Sequence, residues 1–179
     1  MNVIELAPLD SGAIYSFIAL LVGLLGLTVF IFVKPIPSNA KYLTLGIMLP
    51  LMGLFVFTLY QSFTSTISWD DKQLQVNIPL YSNAIEINQV DFAQARIVNL
   101  IKEPEYAAKW RTNGLGLPGY SLGWFSLNNG AKALLSLTNP VQVILLPISL
   151  DRVILVSVID ADEALAKLHA SALPKQAID

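Results

Sequence analysis

Three glycines, Gly114, Gly116 and Gly119, stand in the spacing G-x-G-x-x-G within "RTNGLGLPGYSLGWF", residues 111–125. Glycines so spaced let a backbone approach a dinucleotide pyrophosphate, which then sits on the amino end of a following helix. That chemistry needs a strand before the run, a helix after it and a ribose-binding carboxylate downstream. The run is instead followed by the aromatic, strand-like segment Tyr120–Phe125, and no acidic residue lies between Tyr106 and Leu150. Asn113-Gly114 and Pro118-Gly119 are turn pairs in their own right, which places Gly114 at positive φ. The spacing is read as a coincidence of turn residues, and no nucleotide or other cofactor is expected.

Lys109 and Arg111 stand beside these glycines. Together with Asn113, Gly114 and Gly116 they make a candidate anion- or ligand-binding loop, in which backbone amides form a nest. The alternative is a loop whose cations are simply solvated. Trp110, Tyr120, Trp124 and Phe125 crowd the same region as candidates for core, membrane-facing rim or interaction surface. Elsewhere the chemistry is sparse. The chain has no cysteine and one histidine, His169, so thiolate nucleophiles, disulfides and zinc–thiolate sites are excluded. A serine nucleophile finds no base except His169. Asp70-Asp71, Glu103/Glu105 and Asp160/Asp162/Glu163 fall at expected turns and at a helix cap, where charge serves structure. No catalytic residue or metal ligand is expected, and an enzyme is the least supported class.

The elements that position these residues are of two kinds. Charged residues are 13% of the 179 and mean hydropathy is +0.59, against roughly 25% charge in ordinary soluble domains. The apolar residues cluster. No charge occurs from Ser11 to Val33, nor from Tyr42 to Trp69. Each stretch exceeds the roughly 20 apolar residues that cross a hydrocarbon core. Residues 1–63 are therefore expected to form a transmembrane hairpin, with spans near 12–33 and 42–62 and a loop at 34–41 broken by Pro35 and Pro37. Glu5 and Asp10 precede the first span and no Lys or Arg occurs before Lys34, which favours an uncleaved anchor over a signal peptide. Gly12, Ala19 and Gly26, with Gly46 and Gly53, form small-residue stripes suited to close packing within the hairpin or against a partner's span. Lys34 and Lys41 put the loop in the cytoplasm and the carboxyl-terminal part outside; Lys72 counts the other way. A net charge of −2 argues against nucleic acid and against polybasic docking on anionic lipid.

Residues 64–179 read as β structure ending in a helix. "KQLQVNI" alternates, with Leu74, Val76 and Ile78 on one face, and pairs with "STISW" through a turn at Asp70-Asp71. Further strands are expected at Ala84–Ile87, Ala93–Leu100, Tyr120–Leu127, Lys132–Thr138, Val141–Leu146 and Arg152–Ser157. Asp160 three residues before Glu163 opens a helix near 160–172 with Leu165, Leu168 and Leu173 on its apolar side. A small antiparallel barrel or sandwich, plugged by a helix, follows.

"YSNAIEINQVDFAQARIVNL", the run "RTNGLGLPGYSLGWFSLNNGAKALLSLT" and "RVILVS" before an acidic cap and helix together resemble the bacterial pleckstrin-homology-like domain family, over roughly residues 66–172. The resemblance implies two orthogonal sheets of about seven antiparallel strands closed by a carboxyl-terminal helix, often on a membrane tether. It makes Arg111, Asn113, Gly114, Pro118, Gly119, Gly123 and Trp124 fold-defining positions. The first turn, where eukaryotic relatives of this fold read phosphoinositides, is Asp70-Asp71-Lys72 here and net acidic, so that activity is not carried over. The reading is a non-catalytic, membrane-anchored interaction or assembly module at the bacterial inner membrane, docking a membrane protein or itself. The alternative is a lipid or small-anion binder using Lys109 and Arg111.

Overall fold

The computed structural model describes residues 2–149 and 151–172, and for Ser149 the backbone alone. Two long helices, α1 (Ser11–Val33) and α2 (Ser38–Ser62), form an antiparallel hairpin. Asp10 starts α1 by accepting a 2.7 Å hydrogen bond from the Ala13 amide, and Pro35 and Pro37 prevent continuation between the helices. Their best 18-residue windows have mean hydropathies of 2.7 and 2.0, and helices of this length and composition can cross a bilayer. Outward-facing Val22, Phe30, Leu43, Ile47 and Phe57 are exposed, a surface suited to lipid. Thr28, Thr58 and Ser62 return their hydroxyls to carbonyls four residues back, which satisfies these three groups within the helices, whereas the buried Gln61 Oε1 near the end of α2 has no partner among the described residues. At the loop end, Lys41 Nζ donates to the Phe32 carbonyl at 2.6 Å, which places a cation on the carboxyl terminus of α1. The glycine stripes do not form the hairpin seam: Gly26, Gly46 and Gly53 have nothing near them, and larger residues such as Phe17, Leu24, Thr28 and Phe55 face inward instead.

The β domain has two sheets. The first is antiparallel, in the order β1 (Asn2–Glu5), β2 (Thr66–Trp69), β3 (Gln73–Asn77), β4 (Asn83–Glu86). The second contains β5 (Arg96–Val98), β6 (Ala108–Leu117), β7 (Tyr120–Leu127), β8 (Lys132–Leu137), β9 (Val143–Ser149) and β10 (Arg152–Ser157) in the order β5-β9-β10-β8-β7-β6. A final helix, α3 (Ala161–Ala172), caps the sheets, with Asp160 accepting from the Glu163 amide at 2.9 Å. Leu168 of α3 is in the core; Leu173 lies outside the described residues. The two-helix, mainly-β, helix-capped architecture is as the sequence implies, with three differences. The β8–β10 pair is parallel. The expected Ala93–Leu100 strand shrinks to β5, because Asp91 caps a short 3-10 turn at Phe92–Gln94. And both the glycine run and the first residues are strands.

The first residues are therefore more than a flank of the span. β1 pairs with β2 from Asn2↔Trp69 to Glu5↔Thr66, Leu6 bridges to Val158, and the Ala7 amide donates to the Ser157 carbonyl at 2.8 Å. One short segment thus stitches the first sheet to the end of β10 in the second. Ile4, Leu6 and Leu9 are buried along it. The same apolar core continues into the hairpin through Ala13 and Phe17, the latter fully buried. Its ring lies 6.4 Å from that of Phe55 in α2 and 6.0 Å from that of Tyr120 in β7. A second apolar cluster (Val98, Phe125, Leu127, Leu135, Leu145, Leu155) occupies the outer face of the second sheet, with Leu100 and Tyr106 of the β5–β6 connection packed against it.

Candidate functional site

The first seven residues of the glycine run, Arg111–Leu117, lie in strand β6 (Ala108–Leu117), followed by the Pro118-Gly119 turn and strand β7. No helix opens after the glycines, so the arrangement that holds a pyrophosphate is not formed. The expectation that Asn113-Gly114 is a turn, with Gly114 at positive φ, is wrong. Gly119, Gly123 and Gly130 have positive φ, and Gly114 does not. Gly114 is required for a different reason: it faces Gly123 across the β6–β7 pair, and a Cβ there would overlap the Leu122 carbonyl oxygen. Gly123 combines φ of +107° with a neighbour on each side, because its Cβ would meet Asn113 O and the Tyr81 ring. Tyr81 lies over this glycine pair and donates its hydroxyl to Asn113 Oδ1 at 3.0 Å. The residues R-T-N-G and L-G-W-F are thus two halves of one close strand crossing.

The structure separates the candidate residues. Lys109, Arg111, Asn113, Gly114 and Gly116 share one extended strand and no loop surrounds them. Successive strand amides point to opposite sides, so they do not converge as a nest does. Lys109 and Arg111 are exposed cations, the Arg111 guanidinium lying back over Gly116. Of the four aromatic residues, Trp110 is 70% exposed, Trp124 is half-buried, and Tyr120 and Phe125 are core. Tyr120 belongs to the joint with the hairpin: its hydroxyl lies 3.3 Å from Ser62 Oγ, and burial pushes its pKa up. Phe125 belongs to the outer cluster.

Among the described residues β6 is the last strand of its sheet, and one of its edges has no strand partner. Residues 108–113 are all exposed, and the strand is bent by irregular pairing near Trp110 and near Arg111–Asn113. A free strand edge offers main-chain groups to another chain, and bulges and cations are common restraints on that tendency. The alternation in this stretch gave no sign of an edge, because Gly, Asn and Pro dominate it.

The ionisable groups singled out from sequence have structural duties. Asp70 accepts from the amides of Lys72 and Gln73 at 2.7 and 2.9 Å, which hold its carboxyl below the usual value. Glu103 pairs with Arg96 at 2.8 Å; that bond lowers the Glu103 pKa and raises that of Arg96, whose guanidinium stacks 4.8 Å from the Tyr106 ring. His169 Nε2 sits 2.8 Å from the Ala95 carbonyl, fastening α3 to the turn before β5. Among the described residues no three His, Cys, Asp or Glu side chains gather to hold a metal. Two depressions among the described residues are lined by other groups than the candidate residues. One of about 290 Å³ lies between β1 and the start of α3, and one of about 680 Å³ lies around Arg96, Tyr106 and Asn129.

Two sheets closed by a carboxyl-terminal helix, mounted on a pair of helices long and apolar enough to cross a membrane, suit a domain of the pleckstrin-homology type. The sequence profile of one such family, described as Bacterial PH domain, matches residues 65–170. The match spans more than half of the chain, and the chain belongs to that family. Comparison with curated proteins and with solved structures gave no match.

Proposed function

We propose that this protein is a non-catalytic, membrane-anchored module that docks another membrane protein, or a second copy of itself, at the bacterial inner membrane. The observation that carries this reading is Trp110. A tryptophan 70% exposed, on an unpaired strand edge and between two cations, fits an interface anchor better than a surface meant for water. Its strand partner is Ser126, near the far end of β7, whereas the β6–β7 turn touches α1, where Ser16 Oγ donates to the Pro118 carbonyl. Trp110 is thereby raised away from the hairpin, toward the aqueous phase where a partner's soluble part would lie. From Thr64 onward nine Lys or Arg face eleven Asp or Glu, so no net positive field draws the domain to anionic lipid. The paired lysines of the 34–41 loop favour a cytoplasmic loop and an extracytoplasmic domain.

The test is a photo-crosslinking residue placed at Trp110 of the full-length protein in native membranes. A discrete protein adduct is expected, weakened when Arg111→Ala is added, and absent when the crosslinker is moved to Lys72. Lipid adducts at Trp110, with liposome binding that is salt-sensitive and lost in Lys109→Ala/Arg111→Ala, would instead favour the lipid or small-anion reading.

A further inference from the structure

Strand register fixes which connections of the β domain lie at the end where the hairpin emerges. β2 follows α2 directly, and Thr66 pairs with Asn77, so the β3–β4 connection turns back at that end. Ser121 pairs with Leu137 beside the Tyr120–Phe17 contact, and Val143 pairs with Ser157, whose carbonyl meets the Ala7 amide. The β8–β9 connection is therefore there too. So is the start of the β5–β6 connection, since Val98 pairs with Val143 and the Leu100 amide donates to the Pro140 carbonyl at 2.8 Å.

Each of these connections, and the α2–β2 junction, carries one exposed apolar side chain: Leu80, Val141, Ile101 and Phe63 are 46, 44, 69 and 53% exposed. Leu80 is also the described non-glycine residue with a left-handed backbone, φ 62°, which is unfavourable for a branched side chain. Water gives such a leucine no compensation. The opposite end turns through Asp70-Asp71-Lys72 and Asn128-Asn129-Gly130, which are polar. Exposed Tyr15 and Tyr60 mark the near end of the hairpin and Tyr42 the far end. Tyr42 to Tyr60 spans about 27 Å at about 1.5 Å per residue, close to the roughly 30 Å hydrocarbon core, with interfacial tyrosines at both levels. The four apolar tips begin three residues beyond Tyr60, at the level of the headgroups.

We propose that Phe63, Leu80, Ile101 and Val141 form a rim that inserts into the interfacial zone of the bilayer the hairpin spans, so that the domain lies on its own membrane through apolar tips and without need of anionic lipid. The occupant of this surface is the bilayer. Continuity with the spans singles it out: a soluble partner would have to wedge between the domain and the membrane to reach all four. The rim rests on the hairpin's being embedded, and it leaves the Trp110 edge free.

The chain lacks cysteine, so single cysteines at Leu80, Ile101 and Val141 can carry a small fluorophore in full-length protein reconstituted in phosphatidylcholine vesicles. Quencher groups on shallow lipid acyl carbons should quench all three several-fold more than labels at Lys72 or Asn128. The extent should be unchanged by adding phosphatidylglycerol. A Leu80→Asp/Ile101→Asp background should reduce quenching at Val141→Cys. Quenching at the three tips no greater than at Lys72 would overturn the proposal. So would tips shielded from both lipid-borne quencher and aqueous iodide, which means a protein covers them, and so would quenching that requires anionic lipid. A label at Val22→Cys, at the middle of α1 and read with quenchers on deep acyl carbons, separates the two claims: if it is unquenched, the embedded hairpin itself is refuted.

Discussion

The β6–β7 glycines separate two physical causes that sequence alone confounds, and four alanine substitutions measure them. At Gly116 an added Cβ meets only the Arg111 guanidinium at an ordinary 3.7 Å, so Gly116→Ala should change stability little. Gly130 has φ of +90° with nothing within 4 Å, so Gly130→Ala isolates backbone strain, about 1 kcal/mol. Gly114 lacks the positive φ, yet its Cβ would overlap a backbone carbonyl that cannot rotate away. Gly114→Ala must spread the strand crossing and loosen Tyr81 above it, an overpacking cost of about 1–3 kcal/mol. Gly123 combines both causes and should be the most damaging of the four. Thermal unfolding in nanodiscs, followed by near-ultraviolet circular dichroism, reads the order: about 2–4 °C is lost per kcal/mol in a chain of this size. Because Gly114 and Gly123 face each other, the double alanine variant should also fall short of additivity, since the pair, once spread, is not spread twice. Equal melting temperatures for Gly114→Ala and Gly116→Ala would refute the close-approach argument.

Phe17→Ala removes the fully buried ring between hairpin and domain and should destabilise by about 3–5 kcal/mol; limited proteolysis near Thr64 should rise with it. Ile4→Ala, in the stitching strand β1, should cost about 2–5 kcal/mol and show as a lower unfolding midpoint, although it lies outside the family match. For Glu103 the folded pKa is depressed, so its contribution is complete above the unfolded value of about 4.3 and is lost as pH falls through the lower folded value. The stability gap between wild type and Glu103→Gln should accordingly be present at pH 7 and narrow below about pH 4 in equilibrium unfolding. For orientation, an impermeant thiol reagent on intact spheroplasts should label Lys72→Cys and spare Ser38→Cys; the reverse pattern would invert the proposed topology.

Where side-chain period and turn chemistry agree, the fold was legible. Leu74, Val76 and Ile78 alternate because one face of β3 is buried, and Asp70 marks its turn because its carboxylate ties two amides. The same logic failed for β6. Gly, Asn and Pro weaken intrinsic strand preference, and what makes the segment a strand is pairing with β7, to which glycine contributes by letting the backbones approach. β1 was hidden because four residues ahead of a long apolar helix carry little pattern, and their partners lie more than sixty residues away. The aromatic group shows the limit at the surface. On β7, Tyr120 and Phe125 point to opposite faces, yet both are buried, because the connection carrying Leu100 and Tyr106 packs on the outer one. Alternation locates faces; it does not say which faces are covered. Only Trp110 of the four remained outside, a distinction that depends on β6 being last in the sheet.

Where the hairpin crosses a bilayer, the stitching strand also ties folding of the domain to the threading of the two helices. β1 is synthesised before either span, while β2 and the end of β10 that it joins are made after both. During translation at about 5–20 residues per second, β1 must wait many seconds for its partners. It can meet them only if it has crossed, or stayed, on the same side as the rest of the domain. A chain inserted with an odd number of crossings would strand β1 on the wrong side and leave the outer edge of β2 bare. Closure of the first sheet therefore requires an even number of crossings: only a chain so threaded is sealed by its own first strand.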